Sequence, residues 1–314
     1  MSTSVPRPGR LGVGVVGAGR VGAVLGSALR AAGHAVVGAS GISADSQERI
    51  ATMLPGVPAL EVPQVVERAE LVLLTVPDDA LADLVAGLAQ LGAWQAGQIV
   101  VHTAGALGTA VLAPARAAGA IPLAIHPAMT FTGTSLDVAR LVGCPFAVTG
   151  PAPVLPIGQA LVVEVGGEPV VVAEDARPLY HAALAHGANH LVLLVAQAAQ
   201  VLVAAGVTTP DRVLGPLLSA ALDGALGTAA SAGTPAGAGG VAGLTGPVVR
   251  GDAGTVAAHL AQLAVLADLD PGTADVLGSY QVLARAATTR SLAGGRITAH
   301  QAARLLQVLA EADR

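Results

Sequence analysis

Gly17-Ala18-Gly19-Arg20-Val21-Gly22 has the spacing G-x-G-x-x-G, directly after the apolar run LGVGVV and at the head of the apolar-periodic VGAVLGSALRAAG. A strand, this loop and a helix in that order form the context in which the pattern binds a dinucleotide. Gly17 permits the tight turn, Gly19 lets a pyrophosphate approach the backbone, and Gly22 allows helix and strand to pack closely. Free N–H groups and the positive dipole at the helix start favour the phosphates. Arg20 and Val21 complete the loop as candidate contacts. NAD enzymes place Asp or Glu at the end of the second strand for the ribose hydroxyls. Here that end reads Ala39-Ser40-Gly41-Ile42-Ser43, with no carboxylate before Asp45 and no arginine in the loop. Hydroxyls can bond to a 2′-phosphate that a carboxylate would repel. The expected cofactor is therefore NADP(H), with NAD(H) second and Ser40 and Ser43 as contacts. Thr75, Val76, Pro77 and Asp78, at the end of LVLLTVP, are the expected contacts on the other side of the crevice.

Proton chemistry needs a group that titrates near neutrality, and His is the usual one. His102 ends the run QIVVHTAG and His126 ends IPLAIHP, so both fall at the carboxyl ends of expected parallel strands, where ligands collect. Each is a candidate proton donor; the competing reading is a His that fixes its loop through backbone hydrogen bonds, which Pro127 makes concrete for His126. A second group, His181, His186 and Asn189, lies on one expected helix. At about 100° per residue the two His stand about 140° apart with Asn189 between them, facing a cleft or packing against a neighbouring helix. In GLTGPVVRGD (243–252), Arg250 is a candidate fork for a substrate carboxylate, or a surface residue. Asp252 suits the N-cap of the helix that follows.

The elements that must position these groups alternate β-α-β through about residue 172: strands over 11–16, 34–40, 71–77, 98–105, 121–127, 144–150, 160–166 and 169–173, with helices after the first few. That alternation predicts an α/β fold, a doubly wound parallel sheet. Long helices follow over about 175–205, 211–226, 252–268, 271–294 and 298–312. The expected organisation is a loose leader over 1–10, a dinucleotide-binding domain over 11–172 and an all-α domain over 173–314. The Gly/Ala-rich stretch 223–247 reads as a linker ending in the more specific 243–252.

Composition narrows the chemistry. Of 314 residues 53% are hydrophobic and 12% charged, against about 25% charged in an average domain, which excludes disorder for most of the chain. All 16 basic residues are Arg, so lysine Schiff-base and lysine acid mechanisms are unavailable. A formal charge of -5 without a basic stripe argues against nucleic acid. The single Cys144 excludes disulfides within the chain and a Cys-based zinc site, and a reducing cytoplasm is the plain expectation. No metal-ligand pattern and no nucleophile elbow is present. Mean hydropathy is +0.66, and Pro178–Pro210 contains no Asp, Glu, Lys or Arg, long enough to span a bilayer. His181, His186, Asn189, His190, Gln197 and Gln200 inside it are costly in hydrocarbon, which favours a helix buried in protein.

Taken together, GAGRVG, TVPDDAL (75–81), VHTAGALG (101–108), IHPAMTF (125–131), LYHAALAHGANHLV (179–192) and GLTGPVVRGD resemble a bacterial family of provisionally assigned oxidoreductases. Its members pair a Rossmann-like N-terminal domain with a helical C-terminal domain of unknown function. The family is similar to the 6-phosphogluconate dehydrogenase-like superfamily, which includes ketopantoate reductase, pyrroline-5-carboxylate reductase and prephenate dehydrogenase. The resemblance runs over about 11–290. Many superfamily members carry a catalytic Lys four residues before an Asn; Asn189 matches the Asn, and Ala185 stands at the Lys position. Under the resemblance His186 or His181 is the candidate substitute, with His102 and His126 as the alternative proton donors, and His126-Pro127 resembles the His-Pro pair of prephenate dehydrogenases.

These readings converge on a cytoplasmic NADP-dependent oxidoreductase. It would move a hydride between nicotinamide and a small carbonyl or hydroxy compound, carboxylate-bearing in the favoured version. The alternative is a dinucleotide-binding regulatory or scaffold protein without catalysis. The apolar surface of 178–210 exceeds what one small helical domain covers, and predicts a homodimer through the C-terminal helices.

Overall fold

The computed structural model describes residues 10–229 and 243–311. The leader expected over 1–10 lies outside them apart from Arg10, as does most of the linker expected over 223–247. The chain divides into two compact units, the first ending at Gly187 and the second starting at Ala188.

The first unit runs β1 (Gly12–Val16), α1 (Arg20–Ala31), β2 (Ala35–Ser40), α2 (Ala44–Met53), α3 (Val62–Arg68), β3 (Leu71–Leu74), α4 (Asp78–Gln90) and β4 (Ile99–His102). It continues with α5 (Ala113–Ala117), β5 (Ile121–Pro127), α6 (Ser135–Arg140), β6 (Pro145–Thr149), α7 (Leu155–Glu164), β7 (Glu168–Val171) and α8 (Arg177–Leu184). The strands form one sheet in the order β2-β1-β3-β4-β5-β6-β7. Ala59 pairs with Ala39 in parallel on the outer side of β2, a strand reduced to a single bridge.

Strand side chains point alternately to the two faces. Val13, Val15, Leu71, Leu73 and Phe146 enter one core with Leu25, Leu29 and Leu161. Val16, Val72, Leu74 and Val100 enter the other with Val65, Val85, Leu88 and Trp94. A sheet covered on both faces needs uninterrupted apolar strands, which is why LVLL at β3 is buried at every position.

Two expectations are corrected. The sheet is not wholly parallel: β5 and β6 are antiparallel, with Ala124 opposite Thr149 and His126 opposite Ala147. Residues 160–166 are not a strand; most of them belong to α7. The run of Val there has strand propensity, but Gly158, Leu161 and Val162 are the buried positions, a helical spacing.

Arg177, at the start of α8, is fully buried. Its guanidinium donates to the carbonyls of Ala104 at 3.2 Å, Ala124 at 2.6 Å and Ala147 at 3.1 Å, and to Thr149 Oγ1 at 2.9 Å. One side chain thus links the loop after β4 to β5 and to β6. Among the described residues it forms no salt bridge.

The second unit contains α9 (His190–Ala204), α10 (Pro210–Ala229), α11 (Pro247–Arg250), α12 (Ala253–Leu269), α13 (Ala274–Ala293) and α14 (Ala299–Glu311). Its core is built by α11 to α14, from Val248, Val256, Leu260, Ala284, Leu305 and Leu309. Gln197 attaches α9 to α13 through Asp275 at 2.7 Å and Ser279 at 3.0 Å. Leu191, Val192 and Val203 on α9 and Leu217, Leu222 and Leu226 on α10 are exposed. The helix expected over 175–205 is interrupted by a π turn at Ala185–Asn189. By length and composition Arg177–Ala204 could cross a membrane, the one such stretch among the described residues.

Arg177→Leu keeps a large side chain but strands the carbonyls of Ala104, Ala124 and Ala147, at about 1–3 kcal/mol for each unsatisfied group. The expected outcome is a melting temperature lower by at least about 5 °C. Arg177→Lys should also lose stability, since one ammonium does not replace a five-donor fork. Differential scanning calorimetry checks both, and unchanged melting would show that the cluster contributes little.

Candidate functional site

The strand order reverses direction between β1 and β3, and in an open α/β sheet the crevice at that switch point takes the ligand. The loop 17–22 lies there. Gly17 has φ +88°, and its N–H, with that of Ala18, donates to the Ser40 carbonyl at 3.1 and 2.7 Å. Thr75 Oγ1 donates to the Gly17 carbonyl at 2.6 Å. Gly22 is buried under this contact, and a Cβ on it would collide with Thr75 Oγ1 and the Gly17 carbonyl. Gly19 is different. It precedes α1 at the N-cap, and a Cβ there would meet only the Gly17 carbonyl, at 3.9 Å. The loop is therefore tight where the fold requires it and open where a pyrophosphate would approach, which fits a dinucleotide.

The other expected contacts take distinct places. Arg20 is the first residue of α1 and exposed, and Val21 is half-buried. Ser40 is buried, with Oγ accepting from Gly17 N–H at 3.4 Å. Ser43 is exposed and caps α2 by accepting from Ser46 N–H at 3.2 Å. Thr75 and Val76 are half-buried, Pro77 stands at the N-cap position of α4 without a side-chain cap, and Asp78 opens the helix. The reading of the loop alone missed Arg49. It sits on α2 and converges with Arg20 on Gly133: a Cβ built there would lie 3.0 Å from Arg49 Nε and 2.9 Å from Arg20 Cγ. Arg49 lies one and a half turns into α2, which a search of the strand end does not reach.

Asp137 holds the Gly133 loop. It is fully buried and accepts from Thr132 N–H and Gly133 N–H, each at 2.7 Å. Burial acts to raise its carboxyl, but the hydrogen bonds from Gly133 and Thr132 outweigh it and hold the group below the usual carboxylate range.

At the carboxyl ends of β4 and β5 the imidazoles gather. His102 is fully buried; Nε2 is 2.8 Å from the Gly108 carbonyl, and Nδ1 accepts from Ala104 N–H at 3.2 Å. Both its nitrogens serve the loop. His126 is half-buried, with Nδ1 3.1 Å from the Tyr180 hydroxyl. Its ring meets that of His181 edge-on, with centroids 5.9 Å apart. Both rings lie against Gly105, where a Cβ would collide with His181 Nδ1 and sit 3.0 Å from His126 Nε2. His181 Nδ1 is buried without a partner among the described residues. Burial, then the charges on Arg177, His181 and His102, lower the pKa of His126 to about 4. Burial lowers His102 to about 4 as well, with the Gly108 carbonyl opposing and Arg177 reinforcing.

His186 and Asn189 are exposed and lie in the π turn, so spacing by 100° per residue does not describe them. The expectation that they sit on a buried helix is corrected: hydrogen bonding from i to i+5 shifts the helical faces there. Asn189 belongs to the second unit, as does Arg250, an exposed residue at the end of α11. Asp252 caps α12 by accepting from Thr255 N–H at 3.0 Å. Sequence reading also missed Arg177 and Tyr180. Arg177 left one signal: a cation at a helix N-terminus opposes the dipole and so needs a specific partner.

Two family models match the chain, a Rossmann-like domain over residues 2–127 and a domain of unknown function, DUF2520, over 144–287. The chain joins a Rossmann-like domain to a DUF2520 domain. This is the pairing that the motifs resemble. No curated protein matches it by sequence. Among solved structures, a provisionally assigned NADP oxidoreductase of Bacteroides fragilis is 21% identical with a TM-score of 0.69, covering 88% of this chain and 98% of its own. An imine reductase from Pseudomonas sp. is 18% identical with a TM-score of 0.62, covering 98% and 100%. An imine reductase from Myxococcus stipitatus, solved with NADP+, is 18% identical with a TM-score of 0.60, covering 94% and 99%. At these identities the likeness is one of fold. The DUF2520 match begins at β6 and so includes Arg177, Tyr180 and His181, while His102 and His126 belong to the Rossmann-like match. The His126–Tyr180 hydrogen bond and the Arg177 cluster join the two segments inside the first unit.

The two glycines of the loop should separate in their effect on stability. Gly22→Val forces a side chain into the Thr75–Gly17 contact and should cost several degrees of melting temperature. Gly19→Val meets open space and should leave melting nearly unchanged. Thermal unfolding followed by circular dichroism checks the pair; equal losses would contradict the packing described.

Proposed function

We propose that the protein is a soluble, cytoplasmic NADP(H)-dependent oxidoreductase acting on a small carbonyl or hydroxy compound that bears a carboxylate. The observation that carries the reading is the glycine loop at the β1/β3 switch point, closed over Gly22 and open at Gly19. The fold likeness to reductases, one of them solved with NADP+, supports it. The start of α1 would hold the pyrophosphate, and Arg20 and Arg49, with Ser43, would hold the 2′-phosphate. A carboxylate at the end of β2 would favour NAD instead, and none is there. Thr75 positions the loop, through the Gly17 carbonyl, and Val76, Pro77 and Asp78 form the other wall.

Bound nicotinamide supplies or accepts the hydride. The protein binds the substrate and handles the proton. His126 is the proton-handling group, because Nε2 has no hydrogen-bond partner among the described residues while both nitrogens of His102 are engaged. His181 borders the same notch. His186, in the same unit, is assigned to the substrate. Ala185 in place of lysine makes the non-catalytic alternative a concrete one: tight NADPH binding with no turnover of any small acid would favour it.

Fluorescence titration should give tighter binding for NADPH than for NADH. Arg49→Ala should weaken NADPH by roughly tenfold or more while leaving NADH nearly unchanged, as expected for a lost charge-assisted hydrogen bond. Gly19→Val should abolish binding of both. Equal affinity for the two cofactors in the wild type overturns the NADP assignment; binding of neither overturns the reading as a whole.

The exposed apolar faces of α9 and α10 are assigned to a homodimer. They have no counterpart in the core formed by α11 to α14, and monomers rarely expose contiguous apolar patches above a few hundred Å². Multi-angle light scattering at micromolar concentration should give twice the 30.6 kDa chain mass. A monomeric mass refutes the dimer.

A further inference from the structure

We infer that Tyr180 is the proton reservoir behind His126: when His126 Nε2 gives its proton to the substrate, Nδ1 takes the phenolic proton in its place. The inference deepens the oxidoreductase reading and rests on it. Its basis is geometric. His126 has its two nitrogens in different settings, one 3.1 Å from a phenol and the other without a protein partner among the described residues. The partnerless nitrogen lies over Gly105, the side-chain-free position after β4. The two rings cross at 86° with centroids 5.7 Å apart, so the phenol meets the imidazole at its edge and does not stack on its face. Such an imidazole can pass a proton without ever becoming a cation.

The groups around the pair keep it in that state. Arg177 and His181 face it from α8, His102 from β4, and Cys144 from the turn before β6. Burial, Arg177, His181 and His102 disfavour imidazolium, so at neutral pH His126 holds one proton. Burial raises the Tyr180 phenol, Cys144 adds to the rise and Arg177 opposes it, so the reservoir is protonated at rest.

The step balances as follows. With the hydride that a bound nicotinamide would supply, the carbonyl carbon of the substrate would be reduced and the C=O π pair would move onto oxygen. That oxygen bonds the proton of Nε2, whose N–H pair stays in the ring. Nδ1 bonds the phenolic proton, leaving Tyr180 as a phenolate in the field of Arg177. Solvent returns the proton and the imidazole resets. The reverse direction runs the same transfers backwards.

The relay requires that the phenol donate and Nδ1 accept, and this can be read without a substrate. In a Tyr280→Phe background Tyr180 is the remaining tyrosine, so its phenolate absorbance can be titrated alone. Removing the acceptor with His126→Leu should lower the Tyr180 midpoint by roughly one pH unit, because a donating phenol is stabilised in its neutral form. If Nδ1–H donates instead, the same change raises the midpoint, and the relay is overturned. Nitrogen-15 spectra of the histidine-labelled full chain give a second reading at neutral pH. His126 should be the Nε2–H tautomer, and Tyr180→Phe should move its Nδ1 resonance toward that of an unbonded imine-type nitrogen. An Nδ1–H tautomer, or an Nδ1 resonance indifferent to Tyr180→Phe, refutes the proposal even if His126→Leu disturbs the fold. NADPH titration of the same samples separates the two failures. Binding with the wrong tautomer sinks the relay alone, whereas absent binding sinks the oxidoreductase reading.

Discussion

A single buried guanidinium holds together the strands and loop that carry His102 and His126. Taking a charge out of water is costly unless every donor finds a partner, and Arg177 has no carboxylate to pair with among the described residues. It is stabilised by carbonyl oxygens drawn from the loop after β4, from β5 and from β6. The pairing of β5 with β6, which sets Ala124 opposite Thr149, puts the middle of both strands within reach of one side chain. The same cluster fixes the first turn of α8, and Tyr180 and His181 lie within the next turn.

The charge that stabilises the sheet edge also sets the chemistry beside it. Arg177 is among the groups that keep His126 and His102 neutral. A neutral imidazole donates from one nitrogen and accepts at the other, whereas an imidazolium only donates. The family segments divide before β6, yet the first compact unit extends to Gly187. The early part of the DUF2520 match therefore helps build the first unit and supplies the fully buried Arg177 to it.

Much of the nucleotide crevice was legible in the sequence. The glycine spacing and the apolar runs of β1 to β5 are local patterns with local causes. What was illegible depends on contacts between distant residues or on small departures from regular geometry. The partners of Arg177 lie 28 to 73 residues away, and no spacing rule connects them. Arg49 reaches Gly133 from inside a helix, so reading only the strand end found no arginine. The Val-rich 160–166 has the composition of a strand, and only its buried positions reveal a helix. The π turn defeated the helical projection of His186 and Asn189, because a single wide turn breaks the period on which the projection rests.

Trp94 is the chain's sole tryptophan, buried in the first unit with its indole N–H donating to the Val85 carbonyl at 3.1 Å. Indole emission is therefore a local gauge. It reports on the packing beneath α4 and carries no direct signal from the helices after Gly187. Chains with two compact units need not unfold in one step. A protein whose helical unit alone had melted could look native to a fluorimeter, while its circular dichroism had already fallen.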